Sequence, residues 1–353
     1  MNHRMSRRQL LACSSLAAGG LALSASGLGA QSLFLRCGEV FVGTWGGDYQ
    51  DLLIANFEKR VLGARKVEVS HDVGGAPPRK TKLLTERNSR KGTMDVALLS
   101  ETDMYEVYKQ GVFEELDYSK LENAAYIIPA LRRSYSIPHI YSGKIILYNP
   151  NKVSPAPTSY ADLWNPKYKG RVGFADGLYA QIFESAAIIN GGSPTNILEP
   201  GKAKLAELKK LEPKVYPSNE ALATALKSEE VWLTIMWRAR GVQWKNAGIG
   251  IAMAVPKEGA TPIVFEAAIP KNAPNKDCAY AYLDAMLEAQ GQVGFAAKMC
   301  YVPTVTNAKL DEKLEKDLSF TAEEQKKFII PDLETVAKNN AAMLDWWNRE
   351  FKG

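Results

Sequence analysis

The chain has 353 residues, of which 46% are hydrophobic, and carries a formal net charge of +5. This length suits two domains, and the composition is ample for packed cores. Without residues 1–30 the remainder holds 41 basic and 39 acidic groups, a balance of +2. Such a balance argues against binding to nucleic acid or to a membrane surface through charge.

The first thirty residues have the features of an export signal. The stretch "SRRQLL" is followed by an Ala/Gly/Leu/Ser segment that ends in small residues at Gly29 and Ala30. We expect cleavage near Ala30 and export through a twin-arginine-type route. Lipid attachment at Cys13 is the weaker alternative, because no apolar stretch precedes it. No other segment reaches about 18 uncharged apolar residues, which predicts a soluble mature chain in a bacterial periplasm.

The first third of the mature chain alternates between strands and helices. Val40 to Val42 predicts a short buried strand, Asp51 to Lys59 a helix, and Met94 to Ser100 a buried parallel strand. This alternation predicts an α/β fold with mostly parallel sheets. Ligands of such sheets lie beyond the carboxyl ends of the strands. That rule nominates residues 44–49 and 100–102.

The segment "YSIPHIYSGKIILYN" predicts a crossing between two domains. Pro138 makes its first part a poor central strand, whereas Lys144 to Tyr148 has a strand pattern. Further on, "VWLTIMW" predicts an apolar strand that leads into a helix, and "IVFEAAIP" predicts the return crossing. The last amphipathic segment runs from Pro331 to Phe351. We therefore expect two lobes joined by two crossings.

Two glycines and an aspartate follow the first predicted strand, in "FVGTWGGDYQ". One interpretation is a tight turn in which Gly46 and Gly47 supply positive φ angles and Asp48 caps the helix. The other is a bare backbone that lets a ligand approach the helix N-terminus, beside the indole of Trp45. Asp48 could be either the cap or the partner of an amine.

Catalytic and metal-binding motifs are absent from the mature sequence. Its histidines are His71 and His139, and no nucleophile, phosphate-loop or dinucleotide motif accompanies them. Neither a CxxC pair nor a Cys/His cluster indicates a metal. We predict a protein that is not an enzyme and needs no cofactor. A disulfide between Cys278 and Cys300 is one possible pairing.

Arg238 stands out because it opens a predicted helix, where the helix dipole disfavours a cation. A bound anionic group would explain this placement, and so would a surface ion pair. The sequence leaves both interpretations open.

Several separated motifs resemble one family. The stretches "TSYADLWNPKYKGRVGF", "SIPHIYSGKIILYN" and "CYVPTVTNAKL" are similar to those of solute-binding proteins of polyamine-type ABC transporters. The opening "GTWGGDYQDLL" resembles a subgroup with a double glycine. The resemblance implies a type II periplasmic binding protein, with α/β lobes that close around a ligand. It further implies lobe 1 at residues 31–138 and 264–309, and lobe 2 at residues 139–263 and 310–353.

The resemblance and the strand ends together predict the ligand-binding residues. Trp45 and Trp237 are expected to stack on the ligand, Asp176 to pair with an amine, and Arg238 to pair with an anionic end. The full predicted set is Thr44, Trp45, Gly46, Gly47, Asp48, Tyr49, Ser100, Thr102, Asp176, Tyr179, Trp237, Arg238, Glu266 and Tyr301.

The sequence departs from the polyamine-binding pattern at two places. A second carboxylate expected about one helical turn after Asp176 is missing, and the acid of the return crossing aligns with Phe265, which leaves Glu266 facing the other way. A ligand with one amine and one acidic group, such as an amino-acid-like compound or an opine, therefore fits at least as well as a polyamine.

We expect a monomeric periplasmic protein that captures a small amine-bearing solute and delivers it to an inner-membrane ABC permease. A ferric-iron or thiamine-type binding protein of the same fold is the alternative, although the sequence has no Tyr-Tyr pair for iron. An enzyme built on the same lobes is the least favoured alternative.

Overall fold

The computed structural model describes residues 38–353, and the predicted export signal lies outside this range. The strands are β1 (Glu39–Thr44), β2 (Glu68–Val73), β3 (Val96–Ser100), β4 (Ile137–Tyr148), β5 (Gly173–Ala175), β6 (Lys214–Tyr216), β7 (Leu233–Trp237), β8 (Ala252–Ala254), β9 (Thr261–Ala268) and β10 (Val302–Pro303).

The helices alternate with these strands. They are α1 (Asp48–Leu53), α2 (Ala76–Glu86), α3 (Glu101–Lys109), α4 (Tyr179–Ile189), α5 (Leu198–Lys209), α6 (Asn219–Lys227), α7 (Arg238–Asn246), α8 (Lys276–Met286), α9 (Ala289–Met299), α10 (Glu312–Leu318), α11 (Ala322–Lys326) and α12 (Leu333–Trp346). Helix α1 continues as π-helical turns over Ile54–Leu62, and α12 continues in the same way over Trp347–Phe351.

One eight-stranded sheet runs through both halves of the molecule. Its order is β10-β4-β9-β3-β1-β2, and β7 and β8 pair with the second half of β4. Strand β1 is parallel to β2 and β3, whereas every pair that contains β4 or β9 is antiparallel. The α/β class is confirmed, but the sheet is mixed, because the long crossing strands run against their neighbours.

The first crossing is the single twelve-residue strand β4. Pro138 lies inside it, although this proline predicted a poor central strand. The ladder to β9 is irregular between Pro138 and Ile140. A local irregularity of this kind accommodates a residue that has no N–H to donate.

Two large hydrophobic clusters flank this sheet. One contains Val40, Phe57 and Leu283, and the other contains Ile182 and Trp347. Strand β4 serves both, because its first half contributes Ile140 to one cluster and its second half contributes Ile146 to the other. Burial of these apolar side chains, at roughly 25 cal/mol per Å², stabilises each half separately.

The cysteines do not form the pairing considered from sequence. Cys278 takes part in a disulfide, whereas Cys300 is a buried free thiol, so the bridge between them is absent. Among residues 38–353, none of the helices combines the length and the apolar character that crossing a membrane requires.

Candidate functional site

Two neighbouring cavities lie where the halves of the molecule meet, and Trp237 lines both of them. The larger, of about 600 Å³, we call the aromatic cavity. The smaller, of about 220 Å³, we call the carboxylate cavity. Trp237 ends β7 directly before α7, so the carboxyl end of an apolar strand carries it to the junction.

The aromatic cavity is lined from the β1–α1 turn, the two crossing strands, α7 and the end of α9. Its residues are Trp45, Gly46, Asp48, Tyr49, Ile140, Trp237, Arg240, Gln243, Phe265, Lys298, Met299 and Tyr301. Aromatic faces together with a few polar groups are typical of small-molecule sites.

The aromatic rings of this cavity pack against one another edge to face. The Trp45 ring centroid lies 5.0 Å from that of Tyr49 and 5.4 Å from that of Phe265, which lies 5.4 Å from Tyr301. The guanidinium of Arg79 lies 5.1 Å from the Trp45 ring. These contacts fix the orientation of the indole before any ligand arrives.

The two glycines of the turn differ in what restricts them: the backbone conformation at Gly47 and the surrounding space at Gly46. Gly47 has a φ of 65° and is the N-cap residue of α1, a conformation that favours glycine. A Cβ on Gly46 would approach Val73 to 2.8 Å, so a side chain there would require Val73 to shift. The N-terminus of α1 has no side-chain cap, which leaves the exposed Asp48 carboxylate free of that role.

Beneath the aromatic cavity, the buried Tyr49 hydroxyl lies 2.8 Å from Nδ1 of His139. Desolvation lowers the pKa of His139 to about 3, so the ring is neutral at physiological pH. Burial also raises the pKa of Tyr49 far above its usual value. A neutral hydrogen-bonded pair therefore supports this wall.

The carboxylate cavity is lined by α2, α3, α4, the crossing strands and α12. Its charged residues are Lys80, Glu101, Asp103, Glu106, Lys144 and Glu184. Lys80 pairs with both Asp103, at 2.7 Å, and Glu106. The buried Lys144 donates to Glu184 at 2.9 Å and to the Gln181 carbonyl at 2.7 Å. Acidic groups outnumber basic ones in this cavity.

Glu101 is the carboxylate of this cavity that lacks a close cation. Its nearest cation is Arg133, whose Nη2 lies 4.0 Å from Glu101 Oε2. Desolvation raises the pKa of Glu101 well above its usual range, and the neighbouring Glu266 adds to this rise. Without a nearer cation, the Glu101 carboxyl therefore favours its neutral, protonated form.

Nine of the fourteen predicted residues line the two cavities. The aromatic cavity brings together six of them: Trp45, Gly46, Asp48, Tyr49, Trp237 and Tyr301. The carboxylate cavity adds Ser100, Thr102 and Tyr179. Thr44 and Gly47 flank the turn without lining either cavity, since the Thr44 side chain is fully buried.

In the structure, Asp176 and Arg238 both make contacts within the chain, and their predicted contacts with a ligand stay predictions. The Asp176 carboxylate accepts hydrogen bonds from Trp347 Nε1, at 2.7 Å, and from Lys352 Nζ, at 3.0 Å. Arg238 donates to the carbonyls of Asp317 and Lys316 near the end of α10. Both charged groups are thus paired with distant parts of the chain, and neither residue lines the aromatic or the carboxylate cavity.

Glu266 also makes a contact within the chain. Its carboxyl is buried behind the cavities and accepts a hydrogen bond of 2.7 Å from Ser136. The alternation of β9 turns Phe265 toward the aromatic cavity and Glu266 away from it. Glu266 therefore lines neither cavity, and its predicted contact with a ligand stays a prediction.

Sequence reasoning missed both cations of the aromatic cavity, Arg240 and Lys298. Arg240 and Gln243 follow the N-cap residue Trp237 at successive intervals of three residues. Side chains at this spacing lie on one face of a helix, so the sequence spacing could have indicated both residues. Glu101 and Asp103 were missed beside Ser100, although their place at the start of α3 is visible in the sequence.

Comparison with known proteins gives three findings. Residues 53–322 match the family described as bacterial extracellular solute-binding protein. The spermidine/putrescine-binding periplasmic protein of Escherichia coli K12 is 30% identical over 271 residues, covering 73% of this chain and 74% of that protein. A gamma-aminobutyric acid-binding protein of Pseudomonas aeruginosa is 22% identical over 222 residues, covering 60% and 62%.

The same architecture occurs in solved structures. An ABC transporter structure from Clostridium perfringens superposes with a TM-score of 0.76 at 23% identity, covering 88% of this chain and 99% of that chain. At this identity the likeness shows the fold alone, which is that of a two-lobed periplasmic binding protein.

Proposed function

The chain belongs to the bacterial extracellular solute-binding proteins, and we propose that it captures a small amine-bearing organic solute between two lobes and delivers it to an inner-membrane ABC permease. Its role as the solute-binding component of an ABC transporter follows from the family. The chemistry of the solute, the lobes and the route of export are proposals.

The proposed lobes are residues 31–138 with 264–309, and residues 139–263 with 310–353. Strands β4 and β9 are the crossings and lie side by side, which suits a hinge that bends two strands together. Residues of both proposed lobes line each cavity, so opening the hinge would expose the site and closing it would trap the solute.

The observation that carries the proposal is that Trp237 lines both cavities. A half-buried indole between an aromatic cavity and a cavity rich in carboxylates can cover the methylene chain of an amine, while a carboxylate takes its ammonium group. Relatives named for spermidine, putrescine and gamma-aminobutyric acid support solutes of this class.

The remaining features of the proposal concern the mature protein. We propose export to the periplasm by the twin-arginine route and action as a monomer without catalysis. The relatives are transport proteins rather than enzymes. Residues 38–353 hold no group of three or more His, Cys, Asp or Glu arranged for a metal, and this gives no support to the iron-carrier alternative.

A thermal-shift screen tests the proposal with polyamines, γ-amino acids, opines and thiamine-like amines. A ligand at 100 times its Kd should stabilise the protein by about 2.7 kcal/mol. The variant Trp237→Ala should lose this stabilisation while remaining folded.

Trp232→Ala is the matched control, because both indoles are partly buried against the same core cluster and Trp232 lines neither cavity. It should keep the ligand-induced shift. Equal shifts in the two variants would remove Trp237 from the site, and no shift with any amine would overturn the proposed solute class.

A further inference from the structure

We infer that Arg240 binds an anionic group of the solute, so that the solute is a linear zwitterion whose other end is an ammonium group. The inference rests on the proposed function and specifies the ligand of that site. It concerns a cationic residue that the sequence pattern of the family did not nominate. Five observations on the described residues support it.

The first observation is that Arg240 is held in place. Its Nη1 donates to Gln243 Oε1 at 3.1 Å, and Gln243 Nε2 in turn donates to the Met299 carbonyl at 2.6 Å. All three residues line the aromatic cavity. This chain of hydrogen bonds joins α7 to the end of α9 and leaves most of the guanidinium's five donors for another partner.

The second observation is the contrast with Arg238 on the same helix. Arg238 directs two donors to the carbonyls of Asp317 and Lys316, and its guanidinium lies 4.9 Å from the Phe320 ring. These carbonyls compensate a cation at the start of α7, where the helix dipole is unfavourable. Arg240, two residues further on, has no such compensation.

The third observation is the absence of a neutralising acid. Within residues 38–353, no carboxylate oxygen lies within 4.0 Å of the guanidinium of Arg240 or the ammonium of Lys298. The one acid that lines the aromatic cavity is Asp48, on the exposed turn. Two cations against one acid leave an excess of one positive charge in this cavity.

The fourth observation is the surroundings of that charge. Trp45, Phe265 and Tyr301 form apolar walls, and burial raises the pKa of Tyr301 to about 12, against the opposing effect of Arg240. Coulombic attraction is stronger beside such walls than in water. A planar guanidinium there suits a carboxylate, which it can bind through two parallel hydrogen bonds.

The fifth observation is the opposite charge beyond Trp237. The carboxylate cavity has four acids and two lysines, and the lysines already pair with Asp103, Glu106 and Glu184. Glu101 has no close cation and favours its protonated form, so it is the acid that can give up a proton when an ammonium group binds beside it. One end of the site thus carries excess positive charge and the other end excess negative charge.

This arrangement distinguishes classes of amine. A diamine places a cation at both ends and would meet the uncompensated Arg240. An α-amino acid carries both charges on one carbon and cannot place them in two cavities. A linear ω-amino acid separates its charges by a methylene chain, which Trp237 can cover.

Isothermal titration calorimetry at pH 7.5 tests the inference with 4-aminobutanoate, 5-aminopentanoate and 1,4-diaminobutane as probes. The wild-type protein should bind an ω-amino acid at least tenfold more tightly than the diamine. Arg240→Gln should weaken ω-amino acid binding by about 10- to 100-fold, because the carboxylate loses a charge-assisted partner. The same variant should strengthen diamine binding, because the second ammonium group no longer meets a like charge.

Arg238→Gln is the matched control, since it removes the same charge from the same helix outside both cavities. It should leave ω-amino acid binding within about twofold of wild type. The inference would be overturned if the wild-type protein bound the diamine more tightly than the ω-amino acids, or if Arg240→Gln weakened the binding of both probes equally. Either result would leave the proposed function standing. No binding of any amine in the broader screen would overturn both.

Discussion

Ser136 donates a hydrogen bond of 2.7 Å to Glu266, whose carboxyl is 1% exposed and lies beside Arg133 and Glu101. Arg133 Nε is 3.7 Å from Glu266 Oε1, too far for a hydrogen bond, and both atoms lack a partner. Desolvation raises the pKa of Glu266 to about 7. One cation thus serves two buried acids, which favours the protonated form of the pair.

Glu266 should therefore make the protein less stable as the pH rises from about 4.5 to about 7. The unfolded chain releases this proton near 4.5 and the folded chain near 7, so the folded state binds more protons between these values. Relative to Glu266→Gln, the free energy of unfolding of the wild type should fall by on the order of 3 kcal/mol over this range. Urea denaturation at a series of pH values measures the difference. A difference in the free energy of unfolding between the two proteins that does not change with pH would contradict the prediction.

His139 should have the opposite effect on stability. Its pKa is about 3 in the folded protein against 6.5 in the unfolded chain, so the unfolded state binds more protons between these values. Between pH 6.5 and pH 5 the His139 contribution should fall by about 2 kcal/mol. The variant His139→Gln, which keeps an acceptor for Tyr49, should lose this acid sensitivity when both proteins are unfolded in urea at each pH. An equal acid sensitivity in the two proteins would contradict the buried neutral ring.

The sequence was sufficient to nominate several residues that line the aromatic cavity. Trp45, Tyr49, Trp237 and Tyr301 all follow or end predicted elements, and the carboxyl ends of strands converge in an α/β fold. Local patterning also predicted the α/β class. The direction of the crossing strands was missed, because pairing between distant segments leaves no short-range signal.

The charged residues were harder to place for a physical reason. Asp176 is held by Trp347 and Lys352, about 170 positions later in the chain, and nothing near it indicates those partners. Arg238 and Arg240 differ by two positions on a helix, so they face different directions. The sequence does not show how the helix is rotated about its axis, so it could not show which of the two arginines lines the aromatic cavity.

The buried pair of Lys144 and Glu184 should be more important as a pair than either group alone. Lys144→Met would leave Glu184 without its cation and the Gln181 carbonyl without its donor, and it should cost about 3 kcal/mol. The double variant with Glu184→Met should recover most of this loss, because well-packed apolar groups can replace a buried ion pair. Chemical denaturation of the four proteins gives the coupling energy. Additive losses would show that the pair is not coupled.

Gly143 on strand β4 should not tolerate a side chain, because Phe320 occupies the space that a Cβ would need. A Cβ at Gly143 would lie 2.4 Å from Phe320 Cζ, and the buried Phe320 ring packs edge to face on Phe328. Gly143→Ala should therefore cost about 1–3 kcal/mol through overpacking. Gly250→Ala is the control, since no atom lies within 4 Å of its Cβ position. Combining Gly143→Ala with Phe320→Leu should recover part of the lost stability, because leucine is smaller than phenylalanine and has no ring. Equal urea midpoints for the two alanine variants would show that the crossing strand has room to move away from Phe320.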